Sequence, residues 1–463
     1  MKRIQLLYII LLISVTASAQ GYEIPVKINN LADSIVYFGY HFGNGYFIND
    51  SSQVDNSGQV VFKGTEPLQG GIYFLLLPGG KYFDFLIDKD QNFSISCDTT
   101  DFLNSVSFKN SFQNEKFYNY QKYLNTQYQT INDLKEKQKK YLTKLDTLML
   151  IEEDIQLIYN KIYLHKEEII SEHPDSLISI LIKAGLPIIP PPSPRDTSGN
   201  VIDSMFEYKY VKAHFFDNVS FNDVRFLRTA ILQNKVLEYL NKMSMPQYDS
   251  IIHDVDEVIE RAAANPEVYK FVLNTLFQYY NKSNIISDEN IFVHIAEKYY
   301  LGGKAPWTKD DFNVKLKEDL ARRKPNLIGA VAANFLMKDN KGKAVNLRDL
   351  QNRHVILYFY DVDCEICTMV SPELMNFYRI IRDRGVTVIG IYTGKEKAKW
   401  LKYIEDNNLS WINVWDPDGK SGFREAYNIT GTPQLFLLDE DQKIVAKRIT
   451  VEQLMGYFNS IDN

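Results

Sequence analysis

The chain has 463 residues, 45% of them hydrophobic and 24% charged, with a formal net charge of −6. The length suggests roughly three domains, the composition excludes a disordered chain, and the acidic balance argues against non-specific binding to nucleic acid or anionic lipid. Only three cysteines occur, Cys97, Cys364 and Cys367, and a chain this large does not need disulfides to hold its core.

The first residues carry a leader pattern. Lys2 and Arg3 make a positive start, Leu6 to Val15 a short apolar core, and Ala17-Ser18-Ala19 a small-residue cleavage site before Gln20. This predicts a secretory signal peptide over residues 1–19, too short for a comfortable span; an uncleaved anchor helix is the alternative. No cysteine follows the cleavage site, which argues against a lipoprotein anchor. The mature protein is expected in the periplasm or cell envelope.

Residues 20–110 read as an all-β, sandwich-like domain. Ser34–Phe38, Val60–Phe62, Ile72–Leu77 and Tyr82–Ile87 are rich in β-branched and aromatic residues and are separated by turn signals. In Phe93–Cys97 the alternation puts Phe93, Ile95 and Cys97 on one face, so Cys97 reads as a buried small apolar residue rather than a redox group.

Residues 111–324 read as a helical domain. Residues 112–172 have helical periodicity, as two helices of a hairpin. Leu186 to Pro194 contains five prolines and must be extended. Ile251, Ile252, Val255, Val258, Ile259 and Ala262 form one helical stripe. Asn265-Pro266 reads as a cap and first-turn proline, and Ser287-Asp288-Glu289 as another helix start. Pro306 to Pro325 reads as a charged junction.

From 325 to 463 strands alternate with helices, which indicates an α/β sheet. His354–Tyr360 is a near-continuous apolar run, as a buried central strand should be. Cys364–Arg384 reads as a helix with Met369, Leu374, Phe377, Ile380 and Ile381 apolar, Val386–Ile391 as a strand and Lys395–Asn407 as a polar helix. Gln434–Leu438 and Ile444–Ala446 are strands, and Val451–Ser460 a closing helix.

Cys364-Glu365-Ile366-Cys367 therefore follows a buried strand and opens a helix. That places the first sulfur where unpaired N–H groups and the helix dipole favour a thiolate. Zinc needs about four ligands, and only His354 stands near in sequence. The segment 328–463 resembles the thioredoxin-like redoxins of the TlpA/ResA type. The resemblance rests on Gly329, Ala332, Phe335, Asp339, Gly342-Lys343, Val345, Leu347 and Leu350 before the first thioredoxin strand, on Ser371-Pro372 in the active-site helix, on Gly431-Thr432-Pro433, and on Phe436–Asp439. It implies a thioredoxin-like domain acting as a thiol–disulfide oxidoreductase. Cys364 attacks, Cys367 resolves, and Thr432 and a cis Pro433 present backbone to an extended substrate. Apart from the redox-active disulfide no cofactor is implied. The expected partners are disulfide-bearing envelope proteins and a membrane thiol reductase as electron donor.

The sequence departs from that pattern in places. Asp363 stands where a tryptophan is usual and Ile366 where a proline is. Tyr358 and Val370 stand where family members carry a proton-relaying acid, and Glu373 is one turn further on. Two other functions stay open. A peroxiredoxin-like peroxidase shares the broader fold, but needs a threonine or serine where Asp361 stands. The front two-thirds could also make the chain an envelope binding protein with a secondary or inactive redox domain.

Overall fold

The structure, a computed structural model, describes residues 21–141, 144–283 and 285–461. The expected signal peptide lies outside them, and none of the described helices is long and apolar enough to cross a membrane. The chain divides into two units, one of residues up to 245 with 254–272, the other of 246–253 with everything from 273.

The first unit opens with β1 (Tyr22–Asn29), β2 (Ile35–Phe42), β3 (Gly45–Gln53), β4 (Gln59–Gly64), β5 (Gly71–Leu76), β6 (Tyr82–Ile87), β7 (Ser94–Asp98), helix α1 (Phe102–Ser105) and β8 (Ser107–Lys109). They form two four-stranded sheets, ordered β4-β1-β7-β8 and β3-β2-β5-β6. Alternation drives the packing. Tyr22, Ile24, Val26 and Ile28 of β1 are buried with Phe38, Phe62 and Phe85 in one shared core. Cys97 joins that core, and burial pushes its thiol up to about 12. β1 and β3 go beyond the sequence reading. Pro25 interrupts the β-former pattern of β1, and β3 turns almost every side chain to solvent, so it has no apolar alternation to read.

Helices follow: α2 (Phe112–Lys140), α3 (Leu145–Glu172), α4 (Leu177–Ala184), α5 (Phe206–His214), α6 (Ile231–Lys242), α7 (Tyr248–Ala262), α8 (Pro266–Lys282), α9 (Asp288–Ile295) and α10 (Asp310–Arg323). The α2–α3 hairpin packs along Ile131, Ile151, Ile155, Ile158 and Ile162. The proline run between α4 and α5 contains neither helix nor strand. Asn265 caps α8 through its side-chain oxygen, which accepts from the Glu267 and Val268 N–H groups. The helical stretch contributes to both units, with α7 and α8 each divided between them. The stretch that reads as a charged junction contains α10. Its buried residues are only Leu316 and Leu320, too few to register as an apolar stripe.

The last third contains β9 (Leu336–Asp339), β10 (Ala344–Asn346), β11 (His354–Tyr360), α11 (Glu365–Ile381), β12 (Val386–Tyr392), α12 (Lys397–Asp406), β13 (Ile412–Trp415), α13 (Phe423–Ala426), β14 (Gln434–Leu438), β15 (Ile444–Lys447) and α14 (Val451–Ser460). Their strands make one sheet ordered β10-β9-β13-β12-β11-β14-β15. β11 runs parallel to β12 and antiparallel to β14. All seven of its residues are buried, because helices cover one face of the sheet and the 328–350 segment with α13 covers the other. Leu374, Phe377 and Ile381 of α11 face the sheet, whereas Met369 and Ile380 face solvent. The protein is thus multidomain, with an N-terminal β-sandwich-like part, a helical middle and a C-terminal α/β thioredoxin-like domain. β13 was not legible in the sequence. It has four residues and a buried polar one, Asn413, whose amide is satisfied by the Leu409 and Trp411 carbonyls.

Candidate active site

β11 delivers the chain to the C-terminal end of this central strand at Tyr360, and a short turn brings Cys364 to the N-cap of α11. A residue there leaves the first helical N–H groups without intrahelical partners. One of them, the Cys367 N–H, donates to Cys364 Sγ at 3.2 Å. This bond and the partial positive charge of the helix end both stabilise a thiolate at Cys364. The two cysteines form a disulfide, with Cα atoms 5.2 Å apart. Cys364 is half-buried, whereas Cys367 is fully buried. An incoming group therefore reaches the first sulfur and not the second.

The loop before β14 faces this pair. Its Thr432–Pro433 peptide is cis, and the Thr432 carbonyl oxygen lies 3.4 Å from Cys364 Sγ. Ile366, Val370, Glu373, Pro433, Gln434 and Arg448 line an open groove of about 550 Å³ beside it. So Glu373 reaches the groove wall, where it is exposed. His354 stands at the opposite end of β11, roughly 20 Å of strand away, with its ring against Tyr457 and Phe458.

The charges around Cys364 are arranged rather than merely adjacent. Asp361 accepts from the Asp363 N–H at 3.1 Å and from Thr393 Oγ1 at 3.3 Å. Lys399, from α12, lies 3.2 Å from both Asp363 carboxylate oxygens and 3.0 Å from Glu396. Its bonds to Glu396 and then Asp363 hold the ammonium above its ordinary range.

Behind Cys367 the sequence reading missed a cluster of hydroxyls. Tyr358 and Tyr403 reach Ser371 Oγ at 2.9 and 2.8 Å; the Tyr403 hydroxyl donates to the Cys367 carbonyl at 3.0 Å, and the Tyr358 oxygen lies 3.4 Å from it. Burial pushes both phenols above their usual pKa. Ser371 and Tyr358 were visible as motif positions. Nothing in the sequence links them to Tyr403 or Lys399, which lie on a different helix.

A C-x-x-C at a helix N-terminus, facing a cis-proline loop at one end of a sheet of this order, defines a thioredoxin-like oxidoreductase. The AhpC/TSA family model matches residues 328–447. Two domains of unknown function match further upstream, DUF4369 over 22–117 and DUF5106 over 200–324. The thiol-disulfide oxidoreductase ResA of Bacillus cereus is 30% identical over 137 residues, which cover 29% of this chain and 78% of that protein. ResA of Bacillus subtilis is 27% identical over 136 residues, covering 29% and 75%. The thioredoxin domain of a thiol-disulfide oxidoreductase from Bacteroides vulgatus is 31% identical, covering 29% of this chain and 98% of that one, with a TM-score of 0.28. A thioredoxin-like protein from Bacteroides caccae is 20% identical, covering 58% and 97%, with a TM-score of 0.44. The chain belongs to the ResA family of thioredoxin-fold thiol–disulfide oxidoreductases.

Proposed function

We propose that this oxidoreductase works in the cell envelope as a reductant of protein disulfides, through the Cys364/Cys367 dithiol and without any other cofactor. The observation that carries the reading is the inequality of the two sulfurs. Cys364 is reachable and receives an N–H bond, whereas Cys367 is enclosed. The Cys364 thiolate attacks a substrate disulfide, forming a mixed disulfide and expelling one substrate thiolate. Cys367 gives up its proton to solvent and attacks Cys364 Sγ. The second substrate thiolate then leaves, and the protein disulfide closes. The substrate gains the two electrons that the dithiol loses, so a membrane thiol donor must restore the reduced form. Thr432 and Pro433 border Cys364 and would hold an extended substrate chain through the Thr432 backbone.

The reducing direction is supported by charge. Asp361, Asp363 and Glu365 disfavour a thiolate at Cys364, and Lys399 offsets one of the three. A less stabilised thiolate makes the dithiol a better electron donor. The leader-like residues 1–19 support an envelope location, and the thiol-disulfide oxidoreductase activity named for the ResA relatives supports disulfides as substrates. Turnover of a model protein disulfide tests the reading, with Cys364→Ser inactive and an equilibrium potential well below the ~−120 mV of a strong oxidant. Peroxide turnover without disulfide turnover would instead favour a peroxidase.

A further inference from the structure

The hydroxyl cluster behind Cys367 forms and breaks no bond in the exchange chemistry, yet it is costly to assemble. A buried hydroxyl without a partner is destabilising, and apolar side chains would fill the same space without that risk. Tyr358, Ser371 and Cys367 are all 0% exposed, and Tyr403 is 9% exposed. The three hydroxyls come from three elements, β11, α11 and α12; those of Tyr358 and Tyr403 meet at Ser371 Oγ, and the Tyr403 hydroxyl reaches one backbone oxygen at 3.0 Å, with Tyr358 further off at 3.4 Å. That oxygen can only accept, and three O–H protons suffice for the three contacts of 3.0 Å or less. No charged side chain takes part in these contacts.

The oxygen they meet belongs to the resolving cysteine. Pro372, next to Ser371, has no N–H to give the Thr368 carbonyl, and its ring crowds that turn of α11. The turn carrying Cys367 is thus weakened from within and gripped from outside. We propose that Tyr358 and Tyr403, with Ser371 between them, are positioning residues for Cys367. Tyr403 holds its carbonyl, Ser371 and Tyr358 hold the Tyr403 hydroxyl in turn, and together they set the rotation of the helical turn that aims its sulfur at Cys364. The inference rests on the redox reading above, and its prediction concerns only the second, ring-closing step.

The test is the reaction of the full-length reduced protein with one equivalent of an aryl disulfide, 5,5′-dithiobis(2-nitrobenzoate). Attack by the Cys364 thiolate breaks the aryl S–S bond and releases one thionitrobenzoate, leaving the other on Cys364. The Cys367 thiolate, its proton lost to buffer, then forms the Cys364–Cys367 bond and expels the second with its electron pair. The two releases report the two steps separately, and Cys97 is buried away from the reagent. Tyr403→Phe keeps the ring and removes the donor. It should slow the second release about tenfold, equivalent to about 1.4 kcal/mol, and leave the first within about twofold, since one neutral hydrogen bond has a net effect of this order. Tyr358→Phe and Ser371→Ala should act in the same direction, and either can stand in if one variant does not fold. Equal slowing of both releases, or no change in the second, overturns the proposal. A wild type that releases only one equivalent overturns it too. A wild type that releases both but reduces no protein disulfide contradicts the functional reading and leaves the positioning result standing.

Discussion

Cys364 stands among three carboxylates and one ammonium, and the balance sets how much thiolate it carries. Lys399 is tied to Asp363, the residue just before Cys364. Both side chains are exposed, so the effect should be modest. Asp363→Asn should speed alkylation of Cys364 at neutral pH, and Lys399→Ala should slow it, each by about two- to threefold. Iodoacetamide kinetics on the reduced protein measure this, and shifts of the same sign in both variants would contradict the charge argument. His354 is a second titrating residue, held below its ordinary range by burial first and then by Arg353. A depressed folded pKa gives stability that is fully present above the unfolded value, near about 6.5, and lost as pH falls through the folded value. The stability gap between wild type and His354→Gln should therefore be wider at pH 7.5 than at pH 5, as read by urea unfolding. A gap that widens in acid would refute this. At this scale the sequence showed the cysteine pair and Thr432-Pro433, because their signals are local spacings. It could not show Ser371 meeting Tyr403, since 32 residues and a strand separate them.

Among the elements, β11 and α14 were the most legible. One is an unbroken apolar run, and the other starts at a capping box of Thr450 and Gln453. α10 and β13 were not, since their burial depends on partners distant in the chain. An ion pair distant in the chain also ties α9 to β15. Lys447, 3% exposed, pairs with Glu289, which also lies 3.8 Å from Arg323. Burial lowers the Lys447 pKa while Glu289 raises it. Removing one partner of a buried pair leaves the other uncompensated, so Glu289→Ala should cost about 3 kcal/mol in urea unfolding. The double change Glu289→Leu with Lys447→Met should recover most of that loss, because apolar replacement of both charges is often neutral. A double variant no more stable than Glu289→Ala would show that packing around the pair, and not its charge, is what matters. β15 also leads directly into Arg448 on the groove wall beside Pro433, so this anchor supports one side of the site.

In the molecule as a whole, the redox chemistry occupies the last third, and a β-sandwich and a long run of helices precede it. The layout was readable because the hydrophobic period changes twice along the chain, from two to 3.6 residues and then to alternating strands and helices. The division into two units was not, because α7 and α8 each belong partly to both. The account depends on Cys364 attacking and Cys367 resolving. Its most direct test is trapping with Cys367→Ser in an envelope extract, where the missing second thiol leaves the mixed disulfide on Cys364. The account predicts discrete adducts that collapse under reductant and are absent with Cys364→Ser. No adducts, together with a wild type inactive on a model disulfide, would contradict it and point to a binding protein that carries an inert redox fold.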